Sequence, residues 1–115
     1  MTPAAPGEPG PLTPLAFDIL LSLLDGAAHG YLIMQRVEER GTPSGSVHAG
    51  TLYRALARLL DAALIEELAE PPEDADERRR YYRVTAAGRK AVTAEARRLD
   101  RQLGAARAHG LLEPA

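Results

Sequence analysis

The sequence predicts a mainly α-helical chain with one small β-hairpin, in the order helix, helix, helix, strand, strand, helix. Three observations predict it. Apolar residues recur at three- and four-residue intervals in three segments between residues 12 and 62. The period switches to alternation at Leu64 and again at Arg80. From Val92 to Ala106 it becomes a regular seam, spaced 4, 3, 4, 3.

The first helix is expected over Leu12–Leu24, with Thr13 as N-cap and Pro14 at the first helical position. Phe17, Leu20, Leu21 and Leu24 make a broad apolar face, widened by Leu15, Ile19 and Leu23. So wide a face predicts burial on two sides, one within the chain and one against a partner subunit. Asp25-Gly26 is the stop. The second helix is expected over Tyr31–Arg40, with Tyr31, Ile33, Met34 and Val37 in the core. Gln35, Arg36, Glu38, Glu39 and Arg40 are its wet side. Gly41 to Ser46 is a loop of turn residues, and the third helix runs from near Ser46–His48 to Asp61–Ala62.

Leu64 to Leu68 alternates like a strand, Pro71-Pro72 breaks it, and Arg80 to Val84 is the return strand. A lone hairpin is marginal in water, so it must lean on the helices. Thr85 then caps the last helix, with Gly88 tolerated in its first turn. Val92, Ala96, Leu99, Leu103 and Ala106 form its seam, opposite Arg97, Arg98, Arg101 and Gln102. A helix-turn-helix followed by a hairpin is the winged-helix arrangement. The chain is thus read as a lead-in over 1–11, a winged helix-turn-helix domain over 12–85, a C-terminal dimerisation helix over 86–109 and a frayed tail over 110–115. Dimerisation falls to Phe17, Leu20 and Leu21 with Val92, Ala96, Leu99, Leu103 and Ala106.

Composition narrows the function. With 45% hydrophobic and 26% charged residues, the 115-residue chain can bury one modest core. It has no Cys, which removes disulfides, thiolate metal sites and cysteine nucleophiles together. That fits a reducing cytoplasm, where the protein is expected to act. No apolar run is long enough to cross a membrane, and no membrane partner is expected. His29, His48 and His109 lack metal-ligand spacing, and no phosphate-cradling glycine motif occurs. An enzyme, a metal and a cofactor are therefore not expected.

The net charge is −2, yet the charges are segregated. Residues 66–77 carry seven acids and no base, whereas 78–107 carry ten bases against Glu95 and Asp100. A basic surface can coexist with an acidic total. On the third helix Leu52, Leu56, Leu59 and Leu60 face a core, while Thr51, Arg54 and Arg58 share another face. A helix about 10–12 Å across with that face suits the major groove of double-stranded DNA. Gly50 would let backbone approach the duplex, and the Tyr53 hydroxyl can reach a phosphate. Ser46 and His48 stand at the head of the same helix. Arg78, Arg79 and Arg80 would flank the groove from the hairpin base. The acidic tip, Glu73 to Glu77, is repelled by phosphate and is expected to point away from DNA or to be disordered; the alternative is that it folds back on the arginines.

Leu12-Thr-Pro-Leu, His29-Gly-Tyr31, Gly50-Thr-Leu-Tyr-Arg54, Leu56-x-x-Leu59, Leu64-Ile65 and Arg80-Tyr-Tyr-x-Val-Thr-x-x-Gly88 resemble the PadR family, over roughly residues 12–107. The resemblance implies a homodimeric winged-helix transcriptional regulator, usually a repressor, acting on a palindromic operator. It implies that the Thr51-Leu52-Tyr53 helix reads the operator and that the last helix, helped by the first, makes the dimer. A single C-terminal helix places the chain with the shorter subclass. Some relatives bind small effectors between subunits; here Phe17 and Tyr31 are the aromatics that could serve one. Two departures stand out. Ala63 occupies a position where the family usually has glycine, and the wing is longer and more acidic than is typical. The acidic wing favours an alternative: a winged-helix protein-interaction module with no specific DNA target.

Overall fold

The computed structural model describes residues 10–41, 46–72 and 78–113. Its elements are α1 (Pro14–Leu24), β1 (Ala28–His29), α2 (Gly30–Glu39), α3 (Ala49–Asp61), β2 (Ile65–Glu67), β3 (Tyr81–Val84) and α4 (Ala86–Ala108). The helices fall where apolar periodicity placed them. Thr13 caps α1, its side chain accepting from the Ala16 amide, and Pro14 opens the helix. The lead-in before Gly10, part of the Gly41–Ser46 loop, the wing tip and the last two residues of the tail lie outside the described residues.

The β-structure exceeds expectation. The sheet has three strands in the order β1-β3-β2, both pairings antiparallel. Ala28 lies opposite Tyr82 and His29 opposite Tyr81, so a strand of two residues closes the wing onto the start of α2. A segment that short carries no alternation, which is why the expected hairpin lacked a third strand.

Ile19, Leu20 and Leu23 of α1, Ile33 and Val37 of α2, and Leu52, Leu56 and Leu59 of α3 form the core. Ile65, Tyr82 and Val92 close it from the wing and α4. Two arginines from the expected wet face of α2 secure the end of α1. Arg36 Nη1 donates to the Ser22 and Gly26 carbonyls (2.8 and 3.2 Å). Arg40 donates to the Leu21 carbonyl and pairs with Asp25. Cations at a helix C-terminus also complement its dipole.

The α3–β2 corner and the start of α4 form one joint. Ala63 is left-handed (φ 59°). The Leu64 amide donates to the Leu59 carbonyl and the Ala63 amide to the Leu60 carbonyl, which is a Schellman ending. The Thr85 hydroxyl donates to the Ala63 carbonyl and accepts from the Gly88 amide. A Cβ on Gly88 would lie 2.0 Å from the Leu64 carbonyl oxygen. Gly88 is therefore required by close approach rather than merely tolerated, and the contact is invisible in sequence because Leu64 is remote along the chain.

Candidate nucleic-acid interface

On α3, Leu52, Leu56 and Leu59 are buried, while Gly50, Thr51, Tyr53, Arg54 and Arg58 are exposed. One helix thus presents a hydroxyl, a phenol and two guanidinium groups to solvent with its leucines locked below. Arg54 Nη2 donates to Thr51 Oγ1 at 3.3 Å, so the two are pre-positioned on one turn. A Cβ at Gly50 would sit 3.4 Å from Arg54 Nη1, an ordinary contact, so that guanidinium lies along the helix head beside Gly50. His48 holds the N-cap position without a side-chain capping bond, and Ser46 is exposed just before it.

The wing arginines are not equivalent, contrary to the sequence reading. Arg80 grips Glu67 with two bonds of 2.8 Å, and Arg83 pairs with Glu66. The register explains both: Glu66 lies directly opposite Arg83, and Glu67 opposite Tyr82. The Arg80 hydrogen bonds hold the Glu67 carboxyl below the usual carboxylate range, against a smaller opposing effect of burial. Arg80 also lies over the Tyr82 ring (5.9 Å), and burial pushes the Tyr82 phenol up. Arg80 is thus paired on the sheet, with its side chain still 67% exposed. The acids of Glu73–Glu77, expected to face away or fold back, lie outside the described residues.

Arg79 reaches elsewhere. Its Nη1 lies 3.1 Å from His29 Nδ1, and its guanidinium lies over the Tyr31 ring at 5.9 Å. His29 caps α2, Nδ1 accepting from the Leu32 amide at 3.1 Å. Its ring meets Tyr81 edge-on (5.4 Å) and stacks on Tyr31 (6.5 Å). Tyr31, expected in the core, is 52% exposed; the first turn of α2 aims it outward beside the wing. A cleft of about 300 Å³ separates the head of α2 from α3 and the wing, lined by His29, Tyr31, Tyr53, Arg78, Arg79 and Tyr82 among others. Sequence reasoning missed His29 and Tyr31 as part of this surface. Their motif was visible, but its proximity to Arg79 depends on β1 pairing with β3.

The residues assigned to dimerisation separate into two groups. Leu20 (0% exposed) packs in the chain's own core and offers no surface to a second subunit, which corrects its assignment; Val92 (5%) packs there too but also lines the groove between α1 and α4. Phe17, Leu21 and Ala106 are half-buried, and Ala96, Leu99 and Leu103 are exposed. A groove of about 350 Å³ runs between α1 and α4, lined by Leu21, Leu24, Val92, Thr93, Ala96, Arg97 and Asp100. Among the described residues, no group of three His, Asp or Glu could hold a metal ion, and no helix is long and apolar enough to cross a membrane.

The chain has the fold of known regulators. A PadR family transcription regulator from Clostridium difficile superposes with a TM-score of 0.72 at 22% identity, covering 84% of this chain and 98% of its own. A transcriptional regulator from Clostridium thermocellum gives 0.67 at 24% identity, with 82% and 87% covered. RosR from H. salinarum gives 0.60 at 26% identity, with 88% and 96% covered. No curated protein matches the chain. The family model for the "Transcriptional regulator PadR-like family" matches residues 19–94. With a winged helix-turn-helix that buries its leucines and exposes its arginines, and a family match across most of its length, this chain belongs to the PadR-like family of transcriptional regulators.

Proposed function

We propose that this regulator binds a palindromic DNA operator as a homodimer, with α3 in the major groove. One observation carries the reading: Thr51, Tyr53, Arg54 and Arg58 stand exposed on a helix whose opposite face is fully packed. A guanidinium can bind guanine O6 and N7 bidentately or hold a phosphate, and a hydroxyl suits either a base edge or a phosphate. In this reading His48 and Ser46, at the head of α3, contact the DNA backbone. The second subunit is supplied by pairing across α1 and α4, where Leu99 and Leu103 are 37% and 44% exposed along a 23-residue helix. Small alanines at 96 and 106 allow a neighbouring helix to approach closely. Twofold symmetry then places two copies of α3 on half-sites about one turn apart. Cytoplasmic repression belongs to this reading, relieved by an effector held between subunits near Phe17. Tyr31, the other aromatic that could serve one, lines the cleft beside α3 and the wing.

Footprinting on the DNA upstream of the protein's own gene tests the proposal. Two protected half-sites related by a dyad are expected. A folded protein that protects nothing at micromolar concentration would remove it.

The self-paired wing, with Arg80 and Arg83 matched by Glu67 and Glu66, favours one competitor: a winged-helix protein-interaction module with no specific DNA target. Salt separates the two. The logarithm of DNA affinity falls linearly with the logarithm of salt concentration, at a slope close to the number of phosphates contacted.

A further inference from the structure

The cleft at the head of α2 has a chemistry that the α3 reading does not use. Its walls are the Tyr31 and Tyr53 rings, its floor is Gly30, and the Arg79 guanidinium enters from the wing. Gly30 fixes the geometry. A Cβ there would lie 2.8 Å from the Tyr53 hydroxyl oxygen, so only glycine lets that ring rest against the α2 backbone. Tyr53 is 53% exposed and Tyr31 is also open to solvent, so both phenols face the same wet space. Arg79 lies against both His29 Nδ1 and the Tyr31 ring. Both depend on β1 pairing with β3. Arg80, its neighbour, is instead held on the sheet by Glu67.

We infer that this cleft is a phosphodiester cradle. One phosphate of the DNA strand bordering the major groove would sit between the Tyr31 and Tyr53 hydroxyls and take charge-assisted bonds from Arg79. The inference rests on the proposed DNA binding. Three arguments favour a backbone phosphate. Tyr53 belongs to α3, so the cleft opens at the flank of the helix proposed to enter the groove. An arginine flanked by two phenols offers an anion a positive charge and converging hydrogen-bond donors. The cleft, at about 300 Å³, is far larger than a lone phosphate ion needs but admits a sugar–phosphate chain. The third strand, absent from the sequence expectation, thereby acquires a purpose: it carries the α2 head and the wing arginine to a common point. His29 is a positioning residue, acting through Arg79 and the α2 cap.

The test needs no operator, because phosphate contacts are sequence-independent. The full-length protein is titrated with a random-sequence 20-base-pair duplex across a salt series, as wild type and as Arg79→Gln, Tyr31→Phe and Arg101→Gln. Arg79→Gln is expected to weaken binding and to flatten the log–log salt slope by about 1. Tyr31→Phe, which keeps the ring that supports Arg79, is expected to weaken binding several-fold without changing the slope. Arg101→Gln, on the exposed half of α4, is expected to change neither. Wild-type binding with an Arg79→Gln slope and affinity identical to it overturns the cradle and leaves α3 recognition standing. A wild type that binds no duplex overturns both. Inorganic phosphate is titrated in parallel, followed by the Tyr31 and Leu32 amide signals. Weak binding that competes with duplex is expected; tight phosphate binding lost in Arg79→Gln, with duplex affinity unaffected, would make the cleft a free-anion site and overturn the proposal.

Discussion

Ala63 concentrates the relation between sequence and backbone in one residue. A left-handed conformation costs an L-residue with a Cβ roughly 1 kcal/mol that glycine avoids. At φ 59° Ala63 accepts this because the Schellman bonds at Leu59 and Leu60 and the Thr85 hydroxyl all require the corner to turn there. Ala63→Gly is therefore expected to raise stability by about 1 kcal/mol, read by urea denaturation. Unchanged or reduced stability would mean that the corner is not strained. The sequence could flag this residue, because a helix-ending alanine stands where glycine is usual. It could not flag Gly88, whose requirement comes from a carbonyl more than twenty residues away. Tyr31 misled for a related reason. On a helical wheel it continues the apolar face of α2, but at the helix head its ring lies under Arg79 of the wing and is 52% exposed.

Between elements, polar groups fasten what leucines only bring near. Glu95 of α4 is buried, and its carboxylate accepts the Leu12 amide at 2.7 Å and pairs with Arg98. Burial pushes its carboxyl up, but the Leu12 amide and the Arg98 guanidinium together outweigh burial and hold it below its ordinary value of 4.5. A depressed folded value means that the stabilisation is present above the unfolded value and lost as pH falls through the folded one. The wild type should therefore lose stability on acidification below about pH 4.5. Glu95→Gln should start less stable at pH 7 and show a shallower acid loss in thermal melts at a series of pH values. Parallel pH curves for the two proteins would show that Glu95 contributes nothing through its charge. The residue was legible in sequence only as one of two acids in a basic stretch. Its role as the tether of the α1 entry depends on how α4 crosses α1. The helices themselves were legible because each buries one face at a 3.6-residue period; β1 was not, because two residues hold no period.

At the scale of the whole molecule, the described chain leaves one surface unfinished. Residues 99–105 of α4 are all exposed, Leu99 and Leu103 among them, and the groove beside α1 ends in Leu21 and Leu24. Leu99 and Leu103 of the seven-residue seam lie exposed there, whereas Leu20 of α1 is buried within the chain. Leu103→Asp places a charge in the proposed subunit contact without touching the core. It should shift the protein towards monomer in sedimentation velocity while leaving its melting temperature nearly unchanged at matched monomer. An unaltered dimer would place the interface elsewhere. The same geometry governs recognition, since one subunit reads a half-site and the pair reads a palindrome. The most direct test of the account is selection from a random 30-base-pair duplex library by the wild type and by Arg54→Ala. The account predicts that the wild type enriches a palindrome with half-sites about one turn apart, and that Arg54→Ala relaxes one position in each half. Failure of the folded wild type to enrich any palindrome would contradict it.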